Sequence, residues 1–375
     1  MDPTSLEAMD SLSWPLESLS EALGASLRLE LAEGVYSAAA GRYDTLTASL
    51  WLSRVQALVD AYGPVVASAA DETVRAIAKT NEGWARAVYR AAGIPWEGYE
   101  ANSIAAQLVG EAGERLTADL LPTADLGSIR VRVRGRDLPV REAYDVLATQ
   151  AHAQALGGEA AWRAARTVSD ALYDEGAVRV IAEDGRSYEV VGYCRQRVQG
   201  EWQRTMQDLR DEAGRECGLT SVEVSAHQPC APDHLPYQGH VYTRARFEEI
   251  QASLERPIGQ GYNCRHLVTP CRDGARPTRS EEELEEMREY SEGLVTVGGR
   301  ERTRYDATQW QRSQERKVRN LKLDAQLADA QGDADGARTY RRVAREVAKN
   351  YRAQSEAAHL PTDPRRMRIG RLGGA

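Results

Sequence analysis

The sequence predicts an α+β fold, predominantly helical, with a helical N-terminal domain, a small-sheet central α+β domain and a C-terminal helical hairpin. Three observations predict it. Apolar residues recur at helical spacing through much of the first third of the chain. Short period-two runs occur only in the middle. Two final segments each set an apolar stripe opposite an arginine stripe. The expected parts are 1–125, 126–300 and 301–360, with 361–375 as a flexible basic tail.

The chain has 375 residues, of which 42% are hydrophobic and 28% charged, enough for two or three cores and outside the compositional range of disordered chains. The net charge of −8 is unevenly spread. Residues 1–100 carry 7 basic and 14 acidic side chains, and residues 301–375 carry 17 and 10, so an acidic head precedes a basic tail. Five cysteines in so long a chain argue for reduced thiols rather than a disulfide framework. No apolar run approaches the roughly 20 residues that span a bilayer, and no secretory leader pattern is visible. A soluble protein used inside a cell, or packed into a particle there, is the expectation.

Taken in order, helices are expected at Leu16–Leu31, Ala48–Tyr62 and Pro64–Ala92. Gly63-Pro64 is read as a break, and Gly93-Ile94-Pro95-Trp96 ends the third helix. Ser103–Leu121 is another helix. Ile129–Val133 alternates as a strand, Gly135-Arg136-Asp137 turns, and helices follow at Val140–Ala155 and Glu159–Tyr173. His152 in the first of these is read as structural. Ala177–Ala182 and Tyr188–Val191 form a hairpin around Glu183–Arg186. A long helix from Gly192 to Glu216 leads to a strand at Val222–Val224. Glu281–Tyr290 is a charged helix capped by Ser280, and Gly298-Gly299 leads into the final segment.

The stretch Ser221–Leu267 concentrates ligand-type residues: His227, His234, His240 and His266, with Cys230 and Cys264, and Cys271 just beyond. His227, Cys230, Cys264 and His266 could supply four tetrahedral ligands to zinc, as thiolates and neutral imidazoles. His234, His240 and Cys271 are further candidates. The competing reading is that these side chains hydrogen-bond and pack a loop-rich core. A third is a metal-dependent enzyme using His227, Cys264 and His266. Arg265 and His266 beside Cys264 could favour its thiolate, but a nucleophile also needs a base in reach and an orienting group. No HExxH, GxSxG or phosphate-cradling loop is present.

Val224-Ser225-Ala226-His227, then His234, Gln238-Gly239, Val241-Tyr242 and Gly261-Tyr262-Asn263-Cys264-Arg265-His266, resemble the phage minor capsid protein 2 family, which is similar to the Mu F-type head morphogenesis proteins. The resemblance runs upstream to Asp184-Gly185-Arg186 and Tyr193, and downstream through Tyr305-Asp306-Ala307-Thr308-Gln309 to Lys322, covering about residues 175–330. There are departures. Gln199-Gly200 replaces the family's Arg-Thr pair, and Gln228-Pro229-Cys230-Ala231-Pro232 replaces Gly-Ala-Arg-Pro-Ser, which puts Cys230 outside the pattern. The resemblance implies a low-copy component of a tailed-phage head, assembled in the host cytoplasm near the portal and retained in the virion. It implies no catalytic residues. His227, His234, Gln238, Gly239, Asn263, Cys264, Arg265 and His266 would form a motif that locks the fold.

In Thr303–Asp329, Trp310, Val318, Leu321, Ala325 and Ala328 share one side of a helix, with Arg312, Arg316 and Arg319 opposite. In Ala337–Ala357, Tyr340, Val343, Val347 and Tyr351 face away from Arg338, Arg341, Arg342, Arg345, Lys349 and Arg352. Paired through their apolar stripes, the helices would point both arginine faces outward. Packed double-stranded DNA is one fitting counterpart, and an acidic protein surface such as a portal is another. A nucleic-acid-binding accessory protein outside the virion is the remaining alternative.

Overall fold

Helix α1 (Leu6–Ser37) and helix α2 (Thr45–Ala92) pack together at the start of the chain. The computed structural model describes residues 6–173, 177–259 and 264–369. Leu16, Leu23, Leu27, Leu31 and Val35 form the buried seam of α1. Asp44 caps α2 in a reciprocal capping box with Thr47.

Helix α2 is 48 residues long and runs through Gly63-Pro64, where a break was expected. Val55, Val59, Tyr62, Val66, Ala70 and Val74 are buried along it as one uninterrupted stripe. Pro64 is exposed, and so is Asp60, whose carbonyl loses its helical partner on the side open to solvent. Tertiary packing on the far side therefore overrides the local breaker.

Helix α3 (Ser103–Leu120), capped by Asn102, lies where the sequence places it. Strands β1 (Ile129–Val133), β2 (Arg136–Pro139), β3 (Val178–Ile181) and β4 (Ser187–Glu189) form an antiparallel sheet in the order β2-β1-β3-β4. The β1–β2 turn is Arg134-Gly135, one residue earlier than expected, because Asp137 is already in β2 and pairs with Arg132 at 2.7 Å. Helix α4 (Val140–Leu156) matches its expectation, while α5 is confined to Ala161–Val168 and gives way to a 3-10 turn at Asp170–Tyr173. His152 in α4 holds the Ala38 carbonyl through Nδ1 at 3.0 Å. The second hairpin strand stops at Glu189. The carboxylate of Glu189 accepts from the amides of Val191 and Gly192 and so starts α6 (Val190–Glu216).

The core built by α1 and α2 continues across residue 125, where the first two parts were expected to divide. Ile129, Val131, Val178 and Val180 of the sheet share it with Leu23, Leu27, Val55 and Val59. Helix α6 carries Val190, Tyr193, Cys194 and Val198 into the same core. Its later turns pack Trp202 and Met206 on Ile77 and Leu267. The buried Arg210 bridges Asn81 of α2, at 2.9 Å, and Thr269 beyond it.

The second sheet is three-stranded, β6 (Val241–Thr243), β5 (Ser221–Val224) and β7 (Val268–Cys271), with β5 central and all pairs antiparallel. Helix α7 (Arg244–Ser253) covers it through Ile250. Helix α8 (Glu281–Glu292) has its Ser280 cap completed by Glu283. A hairpin of β8 (Leu294–Val297) and β9 (Arg300–Thr303) then turns at Gly298-Gly299, with φ of 63° and 71°.

Helices α9 (Arg304–Ala330) and α10 (Ala334–Ala357) pair as a hairpin. Val318, Ala348 and Tyr351 form their shared core, and Trp310 stacks near Tyr351. Helix α9 also packs on α1. The expected free tail is docked as far as residue 369. Met367 is buried, and Arg319 and Lys322 hold the carbonyls of Arg366 and Met367. Residues 370–375 lie outside the described residues. No described helix is long and apolar enough to cross a membrane.

Candidate metal centre and its cleft

Two neighbouring strands of the second sheet build the site. Val224 of β5 pairs with Val268 of β7. The pairing extends one step further, with Ser225 N donating to Leu267 O and Leu267 N to Ser225 Oγ, each at 2.8 Å. His227 leaves one strand as His266 enters the other, and their rings lie 4.4 Å apart. The loop after β5 then brings in Cys230 and His234 before Gln238-Gly239 returns to the sheet.

Gln238 is buried and fixes the two strand ends to each other. Its Oε1 accepts from His227 N at 3.1 Å and lies 3.3 Å from His266 Nε2. Gly239, with φ 76°, donates to Val224 O at 2.8 Å. The motif residues expected to lock the fold thus meet in space, apart from Asn263, which lies outside the described residues.

Five side chains converge in two overlapping groups that share His266: His227, Cys230 and His266, and His234, Cys264 and His266. Within each group the ligand atoms lie within 4.8 Å of one another. The four residues read from the sequence as one zinc set are therefore divided. Cys264 stands with His234, read there only as a further candidate, and Cys230 stands on the other edge of the His266 ring, 3.5 Å from Nε2. His240 is outside the cluster, 3.9 Å from Glu281, and Cys271, at the end of β7, pairs with Ser221 of β5.

Cys264 Sγ lies 3.5 Å from His234 Nδ1 and 3.4 Å from His266 Nδ1, and accepts from Gly259 N at 3.3 Å. His234 Nε2 faces the Arg256 carbonyl at 2.7 Å. Burial alone would raise the Cys264 thiol, but the His234 contact and the backbone amides outweigh it and hold the thiol below its usual range. Burial opposes charge on His234 too, yet Cys264 and the Arg256 carbonyl raise it. Burial, then the charge of Arg265, pushes His227 down to about 4. Burial likewise holds His266 well below the ordinary imidazole range, and burial raises Cys230 to about 12. His227 Nδ1 is buried and has no hydrogen-bond partner among the described residues.

A cleft of about 570 Å³ opens beside the cluster. His227, His234, Cys264 and His266 line one wall, and Arg195, Gln199, Tyr305 and Arg312 line others. Several supports were not singled out in the sequence. Gln203 of α6 donates to the Cys264 carbonyl, and Ser291 Oγ of α8 accepts from Cys230 N at 3.2 Å. Each lies far along the chain from its partner, so spacing gave no signal for it.

The two arginine stripes separate. Arg338, Arg341, Arg342, Arg345, Lys349 and Arg352 of α10 are exposed, as expected. Those of α9 turn inward instead. Arg319 pairs with Glu21 of α1 at 3.2 Å, and Arg312 and Arg316 line clefts beside Glu17, Glu315 and Asp363. The acidic seam of α1 covers a face that the helical wheel leaves open.

A family model described as phage minor capsid protein 2 matches residues 137–354. No curated protein and no solved structure matches the chain. The matched span is wider than the 175–330 that the motifs carry, and takes in β2 to β9, the whole His–Cys cluster and nearly all of the α9–α10 hairpin. That is more than half of the sequence, and the chain belongs to the phage minor capsid protein 2 family, with a structural role in the phage head.

Proposed function

We propose that this chain is a low-copy head protein that sits near the portal, remains in the virion, and meets packaged DNA through the exposed face of α10. The observation that carries the DNA contact is the distribution of charge on that helix. Three of its six outward cations are answered within the chain: Arg338 by Asp335, Arg341 by Asp329, and Arg342 by Glu346 at 3.2 Å. Arg345, Lys349 and Arg352 have no ion pair among the described residues and follow one another along the exposed side. Such a row suits phosphate oxygens and reads no bases.

Three phosphate contacts predict binding to duplex DNA that weakens with salt, with a log–log slope of about −2.7. The test is a salt titration with the full chain and a Arg345→Glu/Lys349→Glu/Arg352→Glu variant. A slope near zero for the parent chain, or equal binding by the variant, refutes the DNA contact. Quantitative mass spectrometry of particles, with cross-linking, tests copy number and portal proximity. Cross-links from Lys349 to an acidic head protein would favour that partner over DNA.

A further inference from the structure

We propose that the second sheet carries a binding site for one zinc-type divalent cation, held by His234 Nδ1, Cys264 Sγ and His266 Nδ1. The assignment goes beyond a role in the head and does not depend on it.

The hydrogen bonds around the cluster fix which ring nitrogens hold lone pairs. Gln238 accepts His227 N–H, so the atom facing His266 is the amide oxygen. His266 Nε2 must then carry a proton toward it, which leaves Nδ1 unprotonated. His234 Nε2 faces a carbonyl oxygen at 2.7 Å and carries its proton there, leaving its Nδ1 unprotonated too. Both lone pairs point at one sulfur, at 3.5 and 3.4 Å. A thiol has a single proton and can satisfy only one of them. The sulfur also receives Gly259 N–H, the contact expected of a thiolate.

A cation between the three atoms resolves the conflict. With Zn–S near 2.3 Å and Zn–N near 2.1 Å, a tetrahedral ion separates its sulfur and nitrogen ligands by about 3.6 Å. The two observed sulfur-to-nitrogen separations, 3.5 and 3.4 Å, are close to that value. Each imidazole already has the outer partner that a ligating histidine uses: the Arg256 carbonyl for His234 and Gln238 for His266. The other group lacks this support. Its nitrogen on His266 is the protonated one, and the Cys230 thiol donates to the Ala231 carbonyl at 3.4 Å. All three proposed ligands line the cleft, so the fourth position is left for water or a donor entering from it. Binding displaces the Cys264 proton to solvent.

The experiment uses the full chain purified without chelator, with zinc measured by elemental analysis and Co²⁺ substituted for it. The expected result is about one ion per chain and a thiolate-to-cobalt charge-transfer band. Cys264→Ser, His234→Gln and His266→Gln should each lose the ion and the band, whereas Cys230→Ser and His227→Gln keep both. Gln238→Ala should weaken binding about 10–100-fold. A variant that fails to fold leaves the parent chain to decide. Zinc should slow alkylation of Cys264, read by mass spectrometry, and a chelator should restore the rate at least tenfold. A metal-free parent chain overturns the proposal, as does an alkylation rate indifferent to chelator. Loss of the ion in Cys230→Ser with retention in His234→Gln overturns it as well.

Discussion

Replacing Gly239 by alanine tests how the motif holds the site together. Gly239 has φ 76°, and a Cβ there would lie 3.0 Å from Leu284 Cδ1 and 3.1 Å from its Cγ. Leu284 is only 8% exposed, so it has little room to swing aside. Two costs follow. The left-handed backbone costs about 1–2 kcal/mol for a residue with a Cβ, and overpacking a filled site costs about 1–3 kcal/mol. Their sum, about 2–5 kcal/mol, is a large part of the 5–15 kcal/mol typical of a folded domain. Gly299→Ala separates the terms, because Gly299 has φ 71° with nothing within 4 Å of the added Cβ. It should cost only the backbone term. Leu284→Ala opens the space, so Gly239→Ala should be less costly in that background, with a coupling of about 1–3 kcal/mol. The assay is urea unfolding of all four variants and the parent chain, followed by circular dichroism. Equal costs for the two glycine variants, or additivity of Gly239→Ala with Leu284→Ala, would refute the reasoning.

Other perturbations follow from the same contacts. Burial raises Glu315 and Glu21 to about 7 from an ordinary 4.5. The folded chain therefore binds more protons than the unfolded one between those values, and stability falls as pH rises through that window, by at most about 3 kcal/mol per group. Glu315→Gln should flatten the dependence in melting curves taken from pH 4.5 to 8, and an unchanged profile would remove Glu315 as its source. Pro64→Ala restores an amide donor on the exposed side of α2 and should stabilise the chain by roughly 1–3 kcal/mol, read as a higher denaturation midpoint. Arg210→Ala leaves Asn81 Oδ1 and Thr269 Oγ1 without their donor and should cost about 3 kcal/mol or more in the same measurement.

Local signals that bear on local structure were readable in the sequence. Ser280 and the alternation of Ile129–Val133 led to the right elements, because caps and period-two runs act within a few residues. Gly63-Pro64 misled, since the breaker rule does not count the apolar stripe that continues past it. The β8–β9 hairpin was missed although Gly298-Gly299 marks its turn, because Arg300-Glu301-Arg302-Thr303 has no apolar alternation. For the site, residue types were legible and partition was not. Which cysteine joins which histidine depends on the Arg256 carbonyl and the Gln238 amide, and nothing in the spacing specifies either. The helical wheel set Arg319 opposite the apolar stripe of α9 but could not show that Glu21, far earlier in the chain, comes to cover it.

Helix α6 enters three separate apolar clusters: Val198 in the first, Trp202 and Met206 in the second, Leu209 and Ala213 in the third. Between them Gln203 reaches the Cys264 carbonyl. The helix works as a keyed shaft. One extra residue near Gly200, where nothing crowds the backbone, would turn one half against the other by about 100° and slide it about 1.5 Å. The first sheet and the cysteine–histidine cluster would lose their common alignment while every side chain in both was still present. Phasing along that single rod, rather than the local contacts of either end, sets where the cleft stands relative to the acidic helices.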